Sequence, residues 1–417
     1  KENSKIYDKN VRIIQEDDKN PVKYEKVYYF MDNVNIFRKP TDIPFARQRE
    51  ALTKFKSDNF LIKIMSGNLK EVNTRTNGKV EPFIKEIEED ESKKDKDDAN
   101  SNNDSNEKEN KDDDDIDDDV DENDEAEGEN AIDDEKLAVD NLIEEINNGC
   151  NMQNNTDQFN AVEFALLHKF AMIQGPPGTG KSTCIAVQAL AYYKMDKTVL
   201  IVTHSNTAAD HIATIIQHMA QLLELNPPEV VVRVCGSTYE QIAEQDKSLR
   251  PILLTNLVTG IRKDNHFNQK KFIQNNHRIY IATAITSGGS RLDRKFERVI
   301  VDESNQLVDT ELLVPLTRGC NQLTLYGDHK QIGPFVYSNL CKKNNFALSF
   351  IERLPILGYK PICLETQYRM HPQISLFPSK AFYGNRLKNG VSAANRLFEA
   401  DDVLLAKKEV PIVFFNV

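Results

Sequence analysis

The run GPPGTGKS at residues 175–182 has the residue types and spacing to hold phosphate. Gly175, Gly178 and Gly180 let the backbone curl so that its N–H groups converge on anionic oxygens. Lys181 supplies a cation for β- and γ-phosphates, and the Ser182 hydroxyl is a ligand for Mg²⁺. The apolar run FAMIQ precedes the loop and a helix-like stretch from Thr183 to Tyr193 follows it. The helix amino terminus adds a partial positive charge at the same place. This strand–loop–helix setting predicts a nucleoside triphosphate site that takes in Pro176, Pro177, Thr179 and Thr183 along with the glycines.

The other residues suited to this chemistry are spread through the chain. RVIVDES ends a buried-strand pattern in Asp302 and Glu303. Asp302 suits the metal, directly or through water, and Glu303 suits polarising an attacking water. LYGDHKQIGP, residues 325–334, opens a second strand end into a loop where Gln331 can hydrogen-bond a γ-phosphate or its attacking water. QYRMHP, residues 367–372, offers Tyr368 as a stacking ring and Arg369 as an arginine finger; from these six residues alone an ordinary surface arginine is the stronger reading. Gln158 lies 17 residues before Gly175 and has an amide that suits an adenine edge. His204, Ser205, Asn206 and Thr283 follow strand-like runs, as nucleic-acid backbone contacts or as satisfied loop residues.

These residues need a scaffold that gathers them. Strand-like runs recur at 170–174, 199–203, 230–234, 278–283, 298–302 and 322–326, with helical stretches between most of them. Near-continuous apolar strands separated by helices predict an α/β domain with a parallel sheet covered on both faces. A polar, basic helical insertion is expected over 240–277. Fresh strand-like starts at 362–365 and 411–417 suggest a further α/β unit from residue 361 to 417. Ahead of the main domain, 22–30 and 31–37 read as short strands of a small barrel, in which Tyr28, Tyr29 and Phe30 pack a core or stack bases. Residues 46–68 read as helical, and 1–84 together form an accessory unit. Val139, Leu142, Ile143 and Ile146 fall on one helical face after residue 136.

The net charge of −12 conceals two opposite parts. Of the 65 acidic and 53 basic residues, 27 and 6 lie between Lys85 and Glu135; the remainder is 38 acidic against 47 basic, a balance of +9. The 85–135 stretch has too little apolar area to offset ordering entropy and is expected to be disordered, as a tolerated insertion or as a mimic of nucleic acid. The mildly basic remainder is compatible with a polyanionic partner. Six dispersed cysteines without a C-x-x-C pair read as reduced thiols rather than a zinc site. The absence of an apolar run near 18 residues and of a signal-peptide pattern predicts no membrane association and a soluble chain, cytoplasmic or nuclear. The first residue is Lys1 rather than methionine, so a fragment is expected.

Residues 158–390 resemble the superfamily 1 helicases of the up-frameshift group. The motifs stand in order as Gln158, GPPGTGKS, VTHSNTAAD, VDESNQ, LYGDHKQIGP and QYRMHPQISLFPSKAFYGNRLKNG. The resemblance implies two RecA-like domains closing around each ATP, with an accessory β-barrel on helical stalks before the first domain. It implies 136–360 as that first domain and the stretch from 361 as the opening of the second. It implies Gln158 and Tyr368 as adenine contacts, Lys181 and Ser182 as phosphate and Mg²⁺ ligands, and Asp302 with Glu303 as the metal and water-activating pair. Gln331 becomes the γ-phosphate sensor and Arg369 the finger. Ser205, Asn206 and Thr283 become contacts to single-stranded RNA, with DNA as the alternative. The implied activity is ATP-dependent 5′-to-3′ movement in mRNA surveillance beside other decay proteins; an ATP-gated clamp that remodels proteins without unwinding is the rival. His204 stands where the group usually has proline, and neither the acidic insertion nor the missing Cys/His-rich module fits its pattern.

Overall fold

A computed structural model describes residues 43–55, 59–65, 122–153, 155–261, 278–397 and 411–412. Seven strands form one parallel sheet: β1 (Phe170–Gln174), β2 (Val199–Thr203), β3 (Val231–Arg233), β4 (Ile279–Thr283), β5 (Arg298–Val301), β6 (Gln322–Gly327) and β7 (Ile362–Cys363). Their spatial order is β3-β4-β2-β5-β6-β1-β7. The strands read as unbroken apolar runs because alternate side chains enter different cores. Ala171, Ile173, Val199, Ile201, Ile279 and Ile281 belong to one apolar cluster. Phe170, Met172, Leu200, Val202, Tyr280 and Ala282 belong to the other.

The helices that cover these faces are α1 (Ile43–Phe55), α2 (Asn59–Met65), α3 (Glu122–Gly149), α4 (Thr156–Leu167), α5 (Lys181–Lys194), α6 (Asn206–Leu222), α7 (Ser237–Ala243), α8 (Leu254–Ile261), α9 (Asp309–Leu316), α10 (Phe350–Ile356) and α11 (Pro372–Phe382). Helices α3 to α6 supply the first cluster and α1, α2, α9 and α10 the second. Buried polar groups fix two of them. Gln322 at the start of β6 donates to the carbonyls of Ala165, Leu166 and His168 and so pins the end of α4. Gln188 on α5 donates to Thr324 at 2.9 Å and accepts from the Tyr326 hydroxyl at 3.0 Å, holding the helix that leaves the phosphate loop against β6. Each such group has its partner, so burying it carries no unpaired penalty.

Three expectations change. The acidic stretch is not without order to residue 135: α3 starts at Glu122. Its later turns bury Val139, Ile143 and Ile146 against the core. Helix formation propagates outward from a docked segment at small cost. The strand expected to open a further unit at 362 instead joins the main sheet, where Ile173 pairs with Ile362 and Gln174 with Cys363. Beyond β7 the chain forms a separate parallel pair, β8 (Thr366–Gln367) with β9 (Lys388–Asn389), joined through α11. The segment expected as an insertion contains α7 and α8, with α7 beginning at Ser237 ahead of the expected residue 240.

The strands expected over 22–37 and residues 262–277 lie outside the described residues, as does 413–417. The helix expected over 46–68 is present as α1 and α2. The six cysteines form no disulfide with one another, and no group of three metal-ligating side chains occurs among the described residues.

Candidate nucleotide site

In a parallel sheet every strand ends at the same edge, and that edge assembles this site. Gln174 is in register with Gly327, and Thr203 with Thr283. Gly175 continues from β1, its N–H donating to the Gly327 carbonyl at 3.0 Å. The chain then turns through Gly178 at φ +78° and Gly180 at φ +87°, a region side chains rarely enter. Thr179 closes the turn from its hydroxyl to the Pro176 carbonyl at 2.8 Å. Lys181 opens α5 and folds back over Gly175, its amine 2.6 Å from the Gly175 carbonyl.

Opposite the loop, Asp302 follows β5 and is 5% exposed. Burial pushes its carboxyl up to about 6, Lys181 pulls it down, and Glu303 beside it adds to the rise. Glu303 adopts φ +53°, a left-handed conformation that turns the chain sharply after the strand. Gln306 donates to its carboxylate, and its own N–H donates to Asp302 at 2.9 Å. Loop and acidic pair line a cleft of ≈ 410 Å³ that also takes in Ser182, Ser205, His211, Gln306 and Arg369.

Two residues far apart in sequence meet at the other side of the loop. Asn155 caps α4 by accepting from the Gln158 N–H, which holds Gln158 over the loop. The Gln158 amide donates to the Thr179 carbonyl at 2.9 Å, and a Cβ at Gly180 would lie 2.3 Å from that amide. The Asn155 amide in turn donates to the Tyr368 hydroxyl at 2.9 Å. The Tyr368 N–H donates to the Gly178 carbonyl at 2.8 Å, and a Cβ at Gly178 would lie 2.4 Å from the Arg369 Cβ. Gln367, fully buried, sets this turn by accepting from the N–H groups of Arg369 and Met370 and donating to Asn389. Arg396 donates to the carbonyls of both Tyr368 and Arg369.

Gly178 to Ser182, Asp302, Glu303 and Arg369 therefore come together in one cleft, whose lining does not include Gly175, Pro176, Pro177, Thr183, Gln158 or Tyr368. Gln331 does not line it; the side chain is exposed and its amide donates to Asp328 at 2.8 Å. Ser205 caps α6 at the cleft margin. Asn206 accepts from the buried guanidinium of Arg233, which also pairs with Asp210 at 2.8 Å. Thr283 accepts from the Thr286 N–H in its own turn, beside Thr203.

Sequence reasoning missed Asn155, Gln306, Asp328 and Arg396. The Asn–x–x–Gln spacing before α4 is a capping signal that could have found Asn155; nothing local marks Arg396.

The donor set suits Mg²⁺ with a nucleotide. One buried carboxylate, Asp302, lies across from the Ser182 hydroxyl, Lys181 and the loop backbone, and Mg²⁺ is held by one or two carboxylates with phosphates rather than by a protein cage.

Comparison with known proteins finds similar chains. A family model described as an AAA domain matches residues 153–275 and 237–339, and a second AAA domain model matches 346–417. The ATP-dependent helicase NAM7 of Saccharomyces cerevisiae is 33% identical over 289 residues, covering 63% of this chain and 29% of the yeast protein. The regulator of nonsense transcripts 1 homolog of Drosophila melanogaster is 35% identical over 272 residues, 59% of this chain and 22% of that protein. The regulator of nonsense transcripts 1 of Caenorhabditis elegans is 34% identical over 291 residues, at 63% and 26% coverage. The chain thus spans less than a third of the length of these relatives. On its ordered motifs and on these similarities, the chain carries matches to AAA domain models and is similar to the regulators of nonsense transcripts over part of their length.

Proposed function

We propose that the chain carries the nucleotide-hydrolysing centre of an ATP-dependent RNA helicase acting in nonsense-mediated mRNA decay, with ATP and Mg²⁺ as its cofactors. The carrying observation is the seat of Arg369: the turn after β8 is hydrogen-bonded to Gly178 of the phosphate loop and delivers Arg369 into the cleft that holds Asp302 and Glu303. An arginine that reaches the phosphates from beyond the main sheet couples hydrolysis to the position of the unit that carries it. On this reading the main sheet is the first RecA-like domain and β8–α11–β9 opens the second. An accessory β-barrel precedes them, single-stranded RNA lies along Ser205, Asn206 and Thr283, and the protein works in the cytoplasm with other decay factors.

Placement supports the following roles. The loop amides and Lys181 bind and orient the phosphates. Ser182 and Asp302 hold Mg²⁺, which supplies neutralisation of phosphate charge. Glu303, aimed by its left-handed turn and held by Gln306, orients and deprotonates water. Gln158 and Tyr368, tied together through Asn155, enclose the base.

Binding of a fluorescent ATP analogue and steady-state hydrolysis test the assignment. Lys181→Ala should abolish binding or turnover, whereas Glu303→Gln should bind and fail to hydrolyse. Arg369→Ala should lower turnover by about 10³-fold or more with little change in affinity. Undiminished turnover in Lys181→Ala would remove the site. Hydrolysis without strand displacement would favour the clamp.

A further inference from the structure

Asp328 follows β6 and is fully buried. Four donors converge on its carboxylate. Oδ1 accepts from the Gln174 amide at 3.0 Å and from the Lys330 N–H at 3.1 Å. Oδ2 accepts from the Gln331 amide at 2.8 Å and from the Tyr383 hydroxyl at 2.7 Å. Its own N–H donates to Asn305, next but one to Glu303, at 3.1 Å.

These partners come from separate places. Gln174 is the residue before the phosphate loop, Asn305 lies in the acidic-pair motif, and Tyr383 follows α11 in the β8–α11–β9 unit. Burial, and the bond to Asp328, keep the Tyr383 hydroxyl protonated and therefore a donor. A phenol and a carboxylate form a strong, charge-assisted hydrogen bond, and a buried carboxylate oxygen short of donors holds the remaining one more tightly.

We infer that Asp328 is a positioning residue that carries the seating of the β8–α11–β9 unit to the Gln331 amide, with the Tyr383 hydroxyl as the contact that reports it. Tyr383 and Gln331 share one oxygen. With Tyr383 seated, as here, Oδ2 is shared by two donors, so Gln331 can exchange its bond for one to a γ-phosphate and still leave that oxygen satisfied. When Tyr383 withdraws, Oδ2 has Gln331 as its one remaining donor and holds it. The sensing side chain is thereby gated by the unit that also carries Arg369. Asp328 touches no substrate in this scheme; it acts through Gln331.

The inference rests on the nucleotide reading above, and the test separates the two. In the full chain, affinity for ADP and for a non-hydrolysable ATP analogue is measured in the unaltered protein, Tyr383→Phe, Gln331→Ala and the double variant. Tyr383→Phe removes one oxygen and keeps the ring, and its ADP affinity reports that the site is still folded. The expected result is unchanged ADP affinity and a loss of about tenfold in preference for the γ-phosphate analogue, the size of a hydrogen bond to a charged group. In the Gln331→Ala background the Tyr383→Phe change should have no further effect, because the two act in series. An equal loss in both backgrounds, or no loss in Tyr383→Phe alone, overturns the inference while leaving the nucleotide site standing. Failure of the unaltered chain to bind ADP overturns both.

Discussion

Asp302 shows how a site residue is held at the expense of stability. Its carboxyl rises from 3.8 to about 6 because burial disfavours the charged form. A carboxyl with a raised folded value binds its proton more tightly in the folded chain than in the unfolded one. Stability therefore falls as pH rises from about 4 to about 6 and is level above that, by about 2–3 kcal/mol for this group. Asp302→Asn keeps the acceptor for the Glu303 N–H and removes the charge. It should raise the melting temperature of the nucleotide-free chain at pH 7.5 by several degrees, the gain shrinking toward pH 5, while eliminating Mg²⁺-dependent hydrolysis. Melting curves at both pH values with a turnover assay check this. Gly178 is the second case. At φ +78° an added Cβ is strained by about 1–2 kcal/mol and lies 2.4 Å from the Arg369 Cβ. Gly178→Ala should displace Arg369 and cut turnover at least about tenfold in a folded chain, measured by steady-state hydrolysis beside the melting temperature.

At the scale of elements, α3 is held by its carboxy-terminal half. Its last turns carry Val139, Ile143 and Ile146 into the core beside α4 and α5, and Lys136–Glu163 and Lys194–Glu145 ion pairs flank that seam. Exposed pairs of this kind contribute little, so the apolar stripe holds the helix. Ile143→Ala should cost about 2–4 kcal/mol in denaturant unfolding, and a cost below 1 kcal/mol would show that α3 is not docked. The stripe itself was legible as i, i+3, i+4, i+7 spacing. The extension of the helix to Glu122 was not, because acidic composition alone favours disorder and only the docked end makes continuing the helix cheap. The same limit applied to β7. Two residues of strand say nothing about which sheet they join, and Ile362–Cys363 is placed by the open edge of β1.

For the whole molecule, the shared edge of the parallel sheet puts the nucleotide cleft beside Ser205, Asn206 and Thr283. Asn206 is tied to Arg233 and Thr283 to its own turn, so strand contacts there fall to the backbone and to Ser205 unless those bonds are exchanged. The balance of +9 outside the acidic stretch is compatible with a polyanionic partner. ATP hydrolysis should be stimulated by single-stranded polyribonucleotide more than by its deoxy counterpart at one fixed salt concentration, and stimulation should fall steeply as salt rises. Equal stimulation by both would make the chain indifferent to the 2′-hydroxyl and point to a DNA-directed relative.

The phosphate loop and acidic pair were legible in sequence because each is a local device: glycines that must turn, a lysine one residue on, carboxylates at a strand end. The parallel sheet was legible too, since burial on both faces leaves unbroken apolar runs. Only the tertiary structure decided that Arg369 and Gln158 flank the same loop, that Gln331 is bound to Asp328, and that Tyr383 reaches the same carboxylate. Those contacts join residues up to about two hundred positions apart and depend on individual hydrogen bonds, whose partners no periodicity encodes.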